Sequence, residues 1–215
     1  MQRAPDPHRR SRSAGGGSNP EPASQRGGEG IAVPLGPFLR RAVLATDGTV
    51  TNLIESFLEK VEIDKLAEEE IRAPVPEWRE LPKGTPILRR TVLVRGAESR
   101  RIFLHAESLL VLDRLDPALR RELLATAKPI GKLIREQRRE SYRELLGIRA
   151  EAAAGRAAVL GCRPEDLLVA RTYRIHFAGQ AAIQITERFL AGDGEDGGSD
   201  APRKPAPDPT SEAGA

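Results

Sequence analysis

Two charged residues occupy positions that the surrounding strand pattern reserves for apolar side chains. Side chains two residues apart on a β-strand share a face. In the segment 88–94 the even positions hold Leu, Arg, Val and Val, which places Arg90 on an apolar face. In the segment 183–189 the odd positions hold Ile, Ile, Glu and Phe, which places Glu187 in the same situation. Because burying an unpaired charge is costly, either the two side chains form an ion pair between strands or a ligand contacts both.

The two ends of the chain differ in composition from the middle. Residues 1–30 are rich in Arg, Ser, Gly and Pro, and residues 192–215 are rich in Gly, Asp, Pro and Ala. Such segments bury too little apolar surface to offset the loss of chain entropy, so we predict that both are disordered tails. The remaining part, residues 31–191, has about 160 residues, which is enough for one domain with its own core.

Composition argues against several classes of partner. The formal net charge of the 215-residue chain is +3, with much of the basic excess in the first 30 residues, and the aromatic content is only 4%. Neither value favours nucleic-acid binding. No apolar stretch reaches the ~20 residues needed to cross a bilayer, and the N-terminus lacks the apolar core of a secretory signal. We therefore expect a cytoplasmic monomer or small homo-oligomer that binds neither membranes nor nucleic acid.

The hydrophobic periodicity predicts an α+β fold, a single antiparallel sheet with helices packed on one side. Residues 139–148 fit either a helix or a strand, and a break is expected at Asp47-Gly48. The predicted elements are a helix at 38–43, a helix with Leu53, Ile54, Phe57 and Leu58 inward, a short strand at 61–63, a hairpin of 88–94 with 101–112, a helix at 117–127 with Leu119, Leu123 and Leu124 inward, a short helix from Pro129, a helix at 151–160, and a hairpin of 169–177 with 181–190.

Few patterns in this chain carry recognisable chemistry. The three histidines, His8, His105 and His176, lack the spacing of metal ligands, and Cys162 is the only cysteine, so we predict no metal site and no intrachain disulfide. No glycine-rich phosphate-binding loop precedes a helix, so nucleotide cofactors have no support. Arg90 and Glu187 remain, and helix starts near 49–51 and 128–131 would add backbone N–H groups that favour an anion. These features describe a closed site for a small acidic molecule.

A set of short motifs resembles the chorismate pyruvate-lyase (4-hydroxybenzoate synthase) family. The motifs occur in the family's order over roughly residues 38–190. They are LRRTVLVRG at 88–96, AESL at 106–109, DRL at 113–115, KPIG at 128–131, and YRI, GQ and ITERFL between 173 and 190. The resemblance implies an antiparallel sheet whose helical flaps cover a buried ligand site.

The resemblance also implies a reaction and a set of site residues. The reaction splits chorismate into 4-hydroxybenzoate and pyruvate without a metal or redox cofactor. The ligand-binding arginine falls on Arg90, with Arg89 as the register alternative, and the buried carboxylate falls on Glu187. Val50 and Ile130 fall at the flap positions that contact the ligand through their backbone. Arg90 and Glu187 are thus the expected catalytic residues, and all four are expected to bind substrate.

A non-catalytic binder is the competing interpretation. Effector domains of certain bacterial transcription regulators resemble this fold and bind small acids. Those domains normally follow a helix-turn-helix domain, which residues 1–30 cannot form. A stand-alone binding module, or a lyase relative without activity, remains open on the sequence alone.

Overall fold

A computed structural model of the protein describes residues 31–46 and 49–191. The two predicted tails and the predicted break at Asp47-Gly48 lie outside the described residues, so the domain boundaries stay a prediction. Within the described ranges no helix is long and apolar enough to span a membrane. The helices and strands are α1 (Pro37–Ala45), α2 (Val50–Phe57), β1 (Val61–Arg72), β2 (Pro86–Gly96), β3 (Ile102–Val111), α3 (Pro117–Ala125), α4 (Ile130–Glu136), β4 (Tyr142–Ala152), α5 (Ala157–Leu160), β5 (Leu167–Phe177) and β6 (Gln180–Leu190).

The six strands form one sheet in the order β1-β2-β3-β6-β5-β4, and every neighbouring pair is antiparallel. This arrangement confirms the predicted α+β class. Both predicted hairpins are present, and the β5–β6 turn uses Ala178 and Gly179 at positive φ values of 48° and 76°. The central strands β3 and β6 are buried on both faces, whereas β1 and β4 are the sheet edges.

The four longest helices cover one face of the sheet. Leu39, Ile54, Leu123 and Leu133, one from each helix α1 to α4, pack in a common core with strand residues such as Ile183. The start of α3 is fixed as the sequence predicts, because Asp116 accepts a hydrogen bond of 2.9 Å from the Ala118 backbone N–H and Pro117 follows it. The short helix α5 packs on the opposite face, where Ala157 and Leu160 join a smaller cluster with Leu93 and Leu168.

The predicted helix at 151–160 is wrong for its first part. β4 runs through Ala152, and only Ala154–Arg156 and Ala157–Leu160 form helical turns. Residues 151 and 152 pair with Leu168 and Leu167 of β5 instead, so sheet pairing overrides the local helix propensity. The predicted inward stripes also need correction, because Leu124, Phe57 and Leu58 are exposed by 43%, 55% and 52%. Val50, Thr51 and Ile54 form the buried side of α2.

Candidate functional site

A cavity lies between the helix-covered face of the sheet and the first turns of α2 and α4. Its empty space is about 690 Å³ when the open mouth is included. Val50, Arg90, Ile130 and Glu187 all line this cavity. The structure therefore brings together the four residues that the resemblance selected, from two helices and two strands. Their roles toward a substrate stay a prediction.

Arg90 reaches the cavity from β2 and is held by protein groups on two sides. Its side chain is only 3% exposed. The Nε group donates a 2.7 Å hydrogen bond to Oε2 of Glu68, and Nη2 donates to the backbone carbonyl of Leu123. The sheet register brings the first partner into place, since Glu68 of β1 pairs directly with Arg90. Arg89, the register alternative, faces the opposite way and forms an exposed ion pair of 2.9 Å with Glu69.

Glu68 is a site residue that the sequence analysis missed. Its Oε1 accepts a 3.1 Å hydrogen bond from Nζ of Lys65, which also lines the cavity. Partial desolvation raises the pKa of the Glu68 carboxyl, but hydrogen bonds from Lys65 and Arg90 outweigh it and leave the pKa below its ordinary value. Glu68 is therefore ionised at neutral pH and offsets the buried charge of Arg90.

Glu187 is buried on β6 and does not pair with Arg90. Its Oε1 accepts a 3.0 Å hydrogen bond from the Tyr173 hydroxyl, while the buried Oε2 has no hydrogen-bond partner among the described residues. Desolvation raises the pKa of Glu187, although Arg171, the Tyr173 hydrogen bond and Arg143 act in the opposite direction. Desolvation also raises the pKa of Tyr173 well above its ordinary value, so this hydroxyl keeps its proton and is the donor of the hydrogen bond to Glu187.

Arg171 lies beside Glu187 on the neighbouring strand β5. It is 2% exposed, lies opposite Glu187 in the β5–β6 register, and its guanidinium sits 5.0 Å from the centre of the Tyr173 ring. The two Nη groups donate to the backbone carbonyls of Val43 and Thr46, at the end of α1. Arg171 therefore fixes the end of α1 to the sheet and places a positive charge near the buried carboxylate. Arg171 and Tyr173 are two residues apart on β5 and therefore share a face, but no sequence pattern indicates these contacts.

The starts of α2 and α4 meet above the cavity. A Cβ atom added to Gly131 would lie only 2.6 Å from both Oγ1 and Cγ2 of Thr49, so the two helix starts touch at this point. Nη2 of Arg143, which reaches the cavity from β4, donates a 3.5 Å hydrogen bond to the same Thr49 Oγ1. Backbone N–H groups in the first turn of a helix have no intrahelical partner, and Val50 and Ile130 are the first residues of α2 and α4. These two helix starts form a roof with backbone donors next to the cavity.

The candidate metal ligands and the cysteine lie elsewhere. Among residues 31–46 and 49–191, no group of three or more His, Cys, Asp or Glu side chains is placed to hold a metal ion. His105 is buried on the other face of the sheet, where desolvation lowers its pKa to about 4. His176 contacts Glu144 at 2.9 Å, and Cys162 is partly buried beside the α5 cluster. His8 lies outside the described residues. The polar groups that line the cavity are instead arginine, lysine, carboxylate and hydroxyl groups.

Comparisons with known proteins identify the family and the fold. A family model described as chorismate pyruvate-lyase Rv2949c-like matches residues 44–191. The chorismate pyruvate-lyase of Mycobacterium leprae is 33% identical over 161 residues, which cover 70% of this chain and 73% of that protein. The chorismate pyruvate-lyase of Mycobacterium tuberculosis H37Rv is 27% identical over 156 residues, covering 70% of this chain and 78% of that protein. The crystal structure of the effector domain of PhnF from Mycobacterium smegmatis shares the fold, with a TM-score of 0.53 and 15% identity over 75% of this chain and 93% of that domain.

Proposed function

Because the chain belongs to the Rv2949c-like chorismate pyruvate-lyase family, we propose that it converts chorismate to 4-hydroxybenzoate and pyruvate. In this reaction the ether bond between C3 of the ring and the enolpyruvyl oxygen breaks, and its electrons leave with that oxygen. The hydrogen on C4 leaves as a proton, the electrons of that C–H bond form the C3=C4 double bond that makes the ring aromatic, and the released enolpyruvate gains a proton to become pyruvate. The enzyme has to hold the substrate in a reactive conformation and stabilise the charge that develops on the leaving oxygen.

The observation that carries the proposal is the pair of buried, opposite charges that line one roofed cavity without touching each other. Arg90 is 3% exposed and Glu187 is 7% exposed. Each already has its own protein partner, through the Arg90–Glu68 and Tyr173–Glu187 hydrogen bonds. A small molecule with a carboxylate and a hydroxyl at opposite ends of a ring matches such a pair.

Arg90 is the proposed receptor for the ring carboxylate. With Nε bound to Glu68 and one bond from Nη2 to Leu123, the guanidinium is held in a fixed orientation at the cavity wall. An arginine held in this way binds a carboxylate through charge-assisted hydrogen bonds, which are stronger than neutral ones. Its orientation is set before the ligand arrives, so little side-chain entropy is lost on binding.

Glu187 is the proposed partner of the ring hydroxyl. Its Oε2, buried and without a hydrogen-bond partner in the described part of the chain, supports this role because a hydroxyl donor would satisfy it. Tyr173 holds the other oxygen and so fixes the plane of the carboxylate. Desolvation raises the pKa of Glu187, and a carboxyl whose pKa is raised accepts a proton more readily than an ordinary one.

The test is a turnover assay with purified protein and chorismate, in which both 4-hydroxybenzoate and pyruvate are measured. We expect equal amounts of both products from the wild type. Arg90→Ala and Glu187→Gln should each lower kcat/KM about 100-fold or more. Arg89→Ala is the matched control, because the side chain of Arg89, the neighbouring arginine, points to the opposite face of the sheet and is 42% exposed. Loss of activity in the control equal to that in Arg90→Ala would contradict the site assignment.

The binder interpretation makes a different prediction in the same experiment. The likeness to an effector domain favours it at the level of the fold alone. If chorismate or 4-hydroxybenzoate binds, by calorimetry, and no pyruvate forms, the protein is a small-acid-binding module and the proposed lyase activity is wrong. If neither compound binds, both interpretations fail.

A further inference from the structure

We propose that Arg143 binds the carboxylate of the enolpyruvyl group, the one that leaves with pyruvate. The inference rests on the proposed function and adds a residue that the sequence analysis did not select. Chorismate carries two carboxylates, one on the ring and one on the enolpyruvyl side chain. Arg90 supplies a receptor for only one of them, so the cavity of a chorismate lyase needs a second cationic group at a different place.

Arg143 lies on the opposite side of Glu187 from Arg90. Glu187 is on β6, Arg90 is two strands away on β2, and Arg143 is two strands away in the other direction on β4. With neighbouring strands about 4.8 Å apart, each arginine starts roughly 10 Å to one side of Glu187 across the strands. Along the strand direction, the register places Arg90 level with Ile185 and Arg143 level with Ile183 of β6, so both arginines start on the same side of Glu187. All three side chains nevertheless line the same cavity. The order across the sheet is therefore arginine, carboxylate, arginine.

The groups of chorismate follow the complementary order. The ring carboxylate at C1 is opposite the hydroxyl at C4, and the enolpyruvyl ether at C3 is next to that hydroxyl. With the ring carboxylate on Arg90 and the hydroxyl on Glu187, the ring spans the first two positions. The enolpyruvyl group then extends from the Glu187 end, away from Arg90, toward β4. The side chain it meets there is Arg143.

The contacts of Arg143 place its charge where this carboxylate would lie. Nη2 donates to Oγ1 of Thr49, directly before the first residue of α2, so the guanidinium is under the roof of the cavity. Its charge is also close enough to the Tyr173–Glu187 pair to lower the pKa of both groups, against the larger effect of desolvation. A planar guanidinium contacting both roof and ligand suits a carboxylate better than a lysine ammonium does.

The experiment compares substrate with product, since 4-hydroxybenzoate lacks the enolpyruvyl carboxylate. We measure kcat/KM for chorismate and the inhibition constant of 4-hydroxybenzoate for the wild type, Arg143→Met and Arg143→Lys. Arg143→Met should lower kcat/KM roughly 10- to 150-fold, the effect of losing hydrogen bonds to a charged group, and leave the inhibition constant within about twofold. Arg143→Lys should recover part of the loss. Unchanged product binding also demonstrates that the variant is folded.

Arg149→Met is the matched control for the loss of one positive charge. Arg149 is on the same strand, but it is exposed and pairs with Glu151 at 3.0 Å. The kcat/KM of Arg149→Met should match that of the wild type. If Arg149→Met loses as much kcat/KM as Arg143→Met does, the loss is due to general electrostatic attraction of the substrate and not to a contact with Arg143. An Arg143→Met variant with unchanged kcat/KM overturns the inference. A variant that weakens substrate and product equally assigns Arg143 to the ring instead and also overturns it.

A wild-type protein without turnover would count against the proposed function and not against this inference. In that case calorimetric titration of chorismate and 4-hydroxybenzoate into the same variants replaces the kinetic constants. Selective loss of chorismate affinity in Arg143→Met would then support the role of Arg143 in binding. Equal affinities in the wild type and the variant would refute it.

Discussion

Glu68→Gln is the substitution that most directly tests how the buried charge of Arg90 is compensated. The Glu68 carboxylate accepts from Arg90 Nε at 2.7 Å and from Lys65 Nζ at 3.1 Å. Removing one member of a fully buried ion pair costs about 3–5 kcal/mol. Glu68 is 19% exposed, however, and the Leu123 carbonyl still accepts from Arg90 in the variant. We therefore expect a loss of about 2 kcal/mol in the free energy of unfolding.

The assay is thermal unfolding followed by circular dichroism at pH 7. For a domain of this size, 1 kcal/mol corresponds to about 2–4 °C in Tm, so Glu68→Gln should unfold about 4–8 °C below the wild type. The matched control is Glu69→Gln, the next residue on β1, which forms an exposed ion pair with Arg89 on the opposite face of the sheet. Exposed ion pairs contribute about 0–1 kcal/mol, so the control should lose little. Equal Tm values for the two variants would refute the argument.

Measuring the same Tm difference at low pH tests independently whether the charge of the Glu68 carboxylate causes it. The pKa of Glu68 is lowered in the folded protein, where the hydrogen bonds from Lys65 and Arg90 outweigh desolvation. A group with a depressed folded pKa contributes stability above its unfolded pKa, about 4.3 for Glu, and loses it as the pH falls through the folded value. The Tm difference between the wild type and Glu68→Gln should therefore be full at pH 7 and shrink below about pH 4. A difference that is constant with pH would mean that the carboxylate charge is not the cause.

Two further predictions concern the roof and the buried carboxylate. Gly131→Ala places a Cβ atom 2.6 Å from side-chain atoms of Thr49, so we expect the starts of α2 and α4 to separate. The inhibition constant of 4-hydroxybenzoate should then rise, and the free energy of unfolding should fall by about 1–3 kcal/mol. Adding Thr49→Ala should reverse part of both effects, and a Gly131→Ala variant that behaves like the wild type would contradict the contact. Glu187→Gln should raise Tm at neutral pH while turnover is lost, because desolvation raises the folded pKa of Glu187. The stability that this carboxyl contributes is present below its unfolded pKa and is lost as the pH rises through the folded value. A lower Tm for Glu187→Gln at neutral pH would instead identify Glu187 as part of a stabilising structural pair.

The strands that sequence patterns predicted well are those with one clear apolar face or a local turn. The hairpin of β5 and β6 is joined by a two-residue turn at Ala178-Gly179, and its pairing needs no distant information. The poorly predicted strands are the two sheet edges, β1 beyond Ile63 and β4. Each contains a register shift, between Lys65 and Ala67 in β1 and between Leu145 and Gly147 in β4, which changes the phase of the alternation. Mostly exposed residues in β4 weaken the pattern further.

The residues of the candidate site also fall into those that a local sequence pattern reveals and those that depend on strand pairing. The positions of Arg90 and Glu187 on apolar faces follow from alternation within a single strand, so the sequence could identify them. Their protein partners depend on the pairing of strands that are distant in sequence, as Glu68 with Arg90, or on contacts across the sheet, as Tyr173 with Glu187. No local pattern contains that register, and for this reason Glu68 and Arg143 were not found. Arg171 differs, because it alternates with Tyr173, Ile175 and Phe177 and could have been identified as Arg90 was.

Arg90 and Glu187 have separate protein partners, so a ligand does not have to break an ion pair between them in order to bind. The sequence alone left two alternatives, an ion pair between Arg90 and Glu187 or a ligand between them. The structure has a third arrangement, in which Glu68 offsets Arg90 while Tyr173 and Arg171 support Glu187. A direct ion pair would have to be broken before a ligand could enter, at a cost of several kcal/mol. With separate partners the two charges stay apart and oriented in the empty cavity, so a ligand can add its hydrogen bonds without displacing any of theirs.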